Sequence, residues 1–136
     1  MRTGGDVAEL PVILVIEDEA ALQDIVEEAL TDGGFAADIH SSGEEALTMF
    51  RGRVKEYKAL VTDIGLKGQL SGWEVAAIRE VDPAFPVVYM SGAHADEWAS
   101  EGVPNSIMLA KPFAAAQLIT AVSQLLNAMP PIAPTE

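Results

Sequence analysis

Four apolar stretches in this chain end in side chains that can do chemistry. Glu17-Asp18 follow Val12–Ile16, and Asp63 follows Ala59-Leu60-Val61-Thr62. Ser91 follows Pro86–Met90, and Lys111 follows Ile107–Ala110. Three carboxylates held close together repel one another and call for a cation. The donor set is all oxygen, since the chain has no cysteine and neither histidine falls beside these residues. Oxygen donors select a hard ion. Mg²⁺ in particular is held by one or two carboxylates together with phosphate oxygens and water. Lys111 adds a mobile positive charge, and Ser91 adds one hydroxyl donor. Neither is a strong base, but phosphoryl transfer needs little base when the nucleophile is already ionised. The simplest chemistry is in-line attack of the Asp63 carboxylate on a phosphoryl group. Mg²⁺ and Lys111 would neutralise its oxygens, and the product would be an aspartyl phosphate.

The elements that must bring these residues together can be read from the apolar pattern. "VILVI" (12–16) is a continuous β-branched run of the kind buried on both faces of a parallel sheet. Leu22, Ile25, Val26, Ala29 and Leu30 recur at helical spacing until Gly33-Gly34 closes the helix. "FAADIH" (35–40) is a weaker strand, and residues 41–50 form a second helix with Ser42 and Glu45 spaced as a capping box. Residues 57–64 make a third strand, and a glycine-rich loop leads to a helix over 73–81 that stops at Asp82-Pro83. Residues 85–92 and 106–112 read as two more strands, separated by a short helix over 94–102. A strong helix over 114–127 completes five alternating pairs. Such alternation means a parallel sheet with helices on both faces, and ligands bind beyond the carboxyl ends of its strands. All the reactive residues lie at that edge.

At 136 residues, with 49% hydrophobic and 21% charged residues, the chain has the composition of one globular domain. We expect a flexible lead over 1–10, one domain over 11–128 and a proline-rich tail over 129–136. Eight basic against 21 acidic residues give a net charge of −13. That argues against nucleic acid as a partner, because such binding draws on lysine and arginine against phosphates. No apolar run reaches the length of a membrane span, and the first ten residues lack a signal-peptide layout. A cytoplasmic protein with no membrane partner is expected. His40, His94, Trp73 and Trp98 read as surface or packing residues, and Glu19 as the start of the first helix, near its positive end.

Taken together, Glu17-Asp18, Asp63, Ser91 and Lys111-Pro112-Phe113, each after its own strand, resemble a response-regulator receiver domain over roughly residues 11–128. The resemblance implies a flavodoxin-like, doubly wound five-stranded sheet of order 2-1-3-4-5. It implies that Asp63 is the phosphoacceptor, charged by a histidine kinase or histidine phosphotransfer protein that docks beside the first helix. Asp18, Asp63 and the backbone carbonyl of Gly65 would bind Mg²⁺, and Glu17 would act through water. Ser91 would move to bond the phosphoryl group, and Lys111 would pair with it. Signalling would pass to a downstream target protein through the surface of residues 94–127. The chain would catalyse only its own phosphorylation and dephosphorylation. With no output domain after the last helix, it would be a stand-alone receiver or the receiver of a hybrid kinase.

Some positions depart from the family pattern. An aromatic residue is common three positions before the lysine, coupled to the hydroxyl switch, and here that position is Met108. A proline is common four residues after the acceptor, and here it is Lys67. Pro112 restricts Lys111 to an extended backbone and makes a cis bond possible. Gly65 and Ala93 are small, so easy water access and rapid dephosphorylation are expected, slowing when either is enlarged. Three other readings compete. A pseudo-receiver would bind partners without phosphate. A phosphohydrolase of the haloacid dehalogenase type would need a second aspartate where Gly65 stands. A flavodoxin would need hydroxyls and glycines where Glu17-Asp18-Glu19 stand.

Overall fold

A computed structural model of the protein describes residues 10–53, 56–63, 73–92 and 105–127; the side chains of residues 73 and 74 are not among the features described. Five strands and four helices lie within these residues: β1 (Val12–Ile16), α1 (Ala20–Asp32), β2 (Ala36–His40), α2 (Gly43–Gly52), β3 (Tyr57–Asp63), α3 (Trp73–Val81), β4 (Val87–Ser91), β5 (Ser106–Ala110) and α4 (Ala115–Leu126). The helix expected over 94–102 lies outside the described residues, as do the lead up to residue 9, the tail from residue 128, Gly65, Lys67, Ala93, His94 and Trp98.

The strands form one parallel sheet in the order β2-β1-β3-β4-β5. This is the flavodoxin-like arrangement. Side chains alternate between its faces, and both faces are covered, which explains the unbroken apolar strands. Ile13, Val15, Val61 and Val88 pack against α1 and α4 through Val26, Leu30, Leu118 and Val122. Leu14, Ile16, Leu60 and Tyr89 pack against α2 and α3 through Leu47, Phe50, Val75 and Ile78. Fully burying one such side chain contributes about 2 kcal/mol, so the two layers together hold the sheet flat between the helix pairs. Where α1 meets α4, a Cβ added at Gly33 would come within 2.5 Å of Ile119 Cδ1.

The helices begin and end on local signals. Ser42 Oγ accepts a hydrogen bond from the Glu45 N–H at 3.2 Å, which is the first half of the expected capping box. The Glu45 carboxylate turns the other way, to 3.7 Å from His40 Nδ1. α1 is capped at Glu19 and closes at Gly33, with Gly34 in the left-handed region at φ 94°. At the start of α4 the Gln117 side chain accepts from the Ala114 N–H at 2.7 Å.

The amino ends of β4 and β5 are tied together by Arg79 of α3. Its guanidinium donates to the carbonyls of Phe85 (2.9 Å), Pro83 (3.1 Å) and Asn105 (3.4 Å). Asn105, at φ 59°, donates its side-chain N–H to the Ala84 carbonyl at 2.7 Å, and its own carbonyl also accepts from the Val87 N–H. Asparagine tolerates this left-handed conformation better than most residues.

Candidate functional site

β1 and β3 lie side by side, with Ile16 opposite Thr62. The residues that follow each therefore emerge together at the carboxyl edge. Glu17 is held there through both its backbone and its side chain. Its N–H donates to the His40 carbonyl at 3.0 Å, and its own carbonyl accepts from Gln23 Nε2 at 2.6 Å. Its Oε2 accepts from the Glu19 N–H at 2.9 Å. The side chain is fully buried, and its other oxygen, Oε1, accepts no hydrogen bond among the described residues. Asp63 closes β3 and is buried. One carboxylate oxygen from each of Glu17, Asp18 and Asp63 lies within 4.8 Å of the others.

β5 delivers the cation. The Lys111 N–H donates to the Ser91 carbonyl at 2.8 Å, extending the β4–β5 ladder by one bond, and the Lys111–Pro112 peptide is cis. Lys111 Nζ lies 2.7 Å from Asp63 Oδ2 and 3.6 Å from Glu17 Oε1. The first contact is a charge-assisted hydrogen bond. Ser91, at the end of β4, is also buried.

These charges perturb one another. Burial pushes the Glu17 carboxyl up to about 7, the nearby Asp63 charge adds to the rise, and the Glu19 N–H and Lys111 oppose it. Burial alone would lower the Lys111 ammonium, but its hydrogen bond to Asp63 and the negative charges of Asp63 and Glu17 outweigh that and raise it. Lys111 is thus held as a cation against two carboxylates. A buried carboxylate oxygen without a donor, inside a cluster of three, fits a hard divalent cation.

Each reactive residue expected from the sequence and lying within the described residues is therefore at this edge: Glu17, Asp18, Asp63, Ser91 and Lys111. One expectation is corrected. His40 is not a surface residue without partners. It is half-buried at the end of β2, with Nε2 3.1 Å from Asp38 Oδ1 and Nδ1 near Glu45, while the Tyr57 hydroxyl donates to the other Asp38 oxygen. The alternation of Asp38 and His40 along one strand was the available signal, because residues two apart share a face.

The profile of the response regulator receiver domain matches residues 13–123. The chain belongs to that family. The receiver is 51% identical to a response regulator receiver protein from Sinorhizobium medicae WSM419, whose crystal structure superposes with a TM-score of 0.79 over 88% of this chain and 97% of that one. It is 34% identical over 110 residues to a response regulator receiver protein of Anaeromyxobacter sp. (strain Fw109-5), covering 81% of this chain and 43% of that protein. It is 30% identical over 117 residues to a probable transcriptional regulator of Porphyra purpurea, covering 85% of this chain and 47% of that protein. The receiver thus spans less than half the length of these two relatives. As a receiver domain it is a two-component signalling module. Among the described residues, no helix is long and apolar enough to cross a membrane.

Proposed function

We propose that this receiver accepts a phosphoryl group on Asp63 from the phosphohistidine of a histidine kinase or a histidine phosphotransfer protein. The observation that carries the reading is the Lys111–Asp63 contact of 2.7 Å beside the Glu17–Asp18–Asp63 cluster. A carboxylate oxygen of Asp63 attacks phosphorus in line, the P–O bond forms as the P–N bond breaks, and the histidine nitrogen keeps the electron pair. Asp18 and Asp63 would hold Mg²⁺ together with the Gly65 carbonyl, and Glu17 would reach it through water. Mg²⁺ supplies charge neutralisation for the phosphoryl oxygens. Lys111 would exchange its contact with Asp63 for one with a phosphoryl oxygen, and Ser91 would donate its hydroxyl to another. The domain carrying this chemistry is residues 11–128, and its output is a changed surface read by a downstream protein. It catalyses only its own phosphorylation and dephosphorylation, without nucleic acid or membrane as a partner, in the cytoplasm.

Intact-mass measurement after incubation with acetyl phosphate and Mg²⁺ tests the reading. The expected result is a gain of one phosphoryl group in the native protein and none in Asp63→Asn. Equal labelling of the variant would reject Asp63 as the acceptor.

A further inference from the structure

The resemblance that identifies this family carries an aromatic switch residue at the position of Met108, where this chain has none. An aromatic ring is nonetheless present one strand away. Tyr89 lies on β4, in register with Met108 on β5 and with Thr62 on β3. It is only 1% exposed and belongs to the core layer on the α2–α3 side, against which Met108 also packs. Strand side chains alternate, so Tyr89 and Ser91, two residues apart, project to the same face. Ser91 is opposite Ala110, whose side chain is a single methyl. On that face the hydroxyl of the site is therefore next to a large ring, and the ring is next to a flexible thioether.

We propose that Tyr89 is the positioning residue that registers displacement of Ser91 and passes it to Met108 on β5. The inference rests on the reading of Asp63 as phosphoacceptor. If Ser91 moves toward a phosphoryl group on Asp63, it vacates space on the face that Tyr89 shares. Ala110 is too small to fill it. Close-packed interiors do not leave such gaps open. A tyrosine ring moves as one rigid body, whereas methionine, with three rotatable bonds, can refold around whatever the ring leaves behind. The aromatic and the yielding side chain are both present, with their strands exchanged relative to the family pattern.

Fluorine NMR of protein carrying 3-fluorotyrosine tests this directly. The chain has two tyrosines, and Tyr57, at the opposite end of the sheet and bonded to Asp38, serves as an internal control. Under sustained acetyl phosphate and Mg²⁺, with the phosphorylated fraction read by mass from acid-quenched samples, a second Tyr89 resonance is expected to grow in proportion to that fraction. The Tyr57 resonance stays in place, and in Ser91→Ala the Tyr89 change is lost. Added mass with an unmoved Tyr89 resonance overturns this proposal alone. So does a Tyr89 change that persists in Ser91→Ala. Absence of added mass overturns the phosphoacceptor reading and this proposal with it. As a second measurement, the methyl resonance of labelled Met108 is expected to respond to phosphorylation in Tyr89→Phe, which keeps the ring, and not in Tyr89→Leu. An equal response in both variants also overturns it.

Discussion

At neutral pH the Glu17 carboxyl sits near its midpoint, buried, with one oxygen lacking a hydrogen-bond donor among the described residues. The folded chain holds the Glu17 proton up to about pH 7, whereas the model carboxyl releases it near 4.5. Between those values the folded state binds more protons than the unfolded one, so this group's stabilising contribution is complete below about 4.5 and is lost as pH rises through about 7. In chelator-treated protein, Glu17→Gln is expected to be more stable than the native chain by ~2 kcal/mol above pH 7, with the difference closing toward pH 4.5. Urea unfolding across that range reads it, and a pH-independent difference would remove the buried charge as its cause. The same substitution is expected to weaken Mg²⁺ binding, and native affinity is expected to fall as acid protonates Glu17. The site residues were legible in the sequence because each stands alone at the end of an apolar run. His40 was not, because its carboxylate neighbours come from β2 itself and from the first turn of α2, and only folding brings that turn within reach. Tyr89 was hidden for the opposite reason: an aromatic inside a strand reads as ordinary core until register sets it beside Met108.

At the scale of elements, capping and ladder bonds decide boundaries that apolarity cannot. The fourth strand was expected over 85–92 and runs over Val87–Ser91. Phe85 is drawn into the turn instead, its N–H bonding to Asp82 and its carbonyl to Arg79, and Pro86 has no N–H to offer the ladder. The fifth strand was expected through Pro112 and ends at Ala110, where the chain turns into the Lys111–Pro112 bond. Residues 41–50 were expected as a helix that in fact occupies Gly43–Gly52, because Ser42 is the cap and not part of the helix. Ser42→Ala is expected to cost about 1 kcal/mol in chemical unfolding, by leaving the Glu45 N–H without its acceptor. The cost is carried by α2, so Mg²⁺ affinity is expected to stay at the native value. A fall in affinity would show that the α2 amino end supports the site as well as the helix.

For the whole molecule, the two apolar layers were readable from strands with no polar alternation, and strand order followed from the family resemblance and not from any local signal. What pattern could not supply was the tie at the far rim, where Arg79 gathers carbonyls from Pro83, Phe85 and Asn105. That knot joins α3 to the amino ends of β4 and β5, at the opposite end of these strands from Ser91 and Lys111. A plank nailed at one end bends most at the other. Strand shifts started by phosphate chemistry therefore grow toward the reactive rim and die away before the turn at Asn105. Arg79→Met would pull the nail. Hydrogen exchange at the Val87 amide, bonded to the Asn105 carbonyl, is expected to quicken about tenfold in that variant, the equivalent of about 1.4 kcal/mol of local protection. Unchanged exchange there would mean that the edge is anchored by its apolar packing alone.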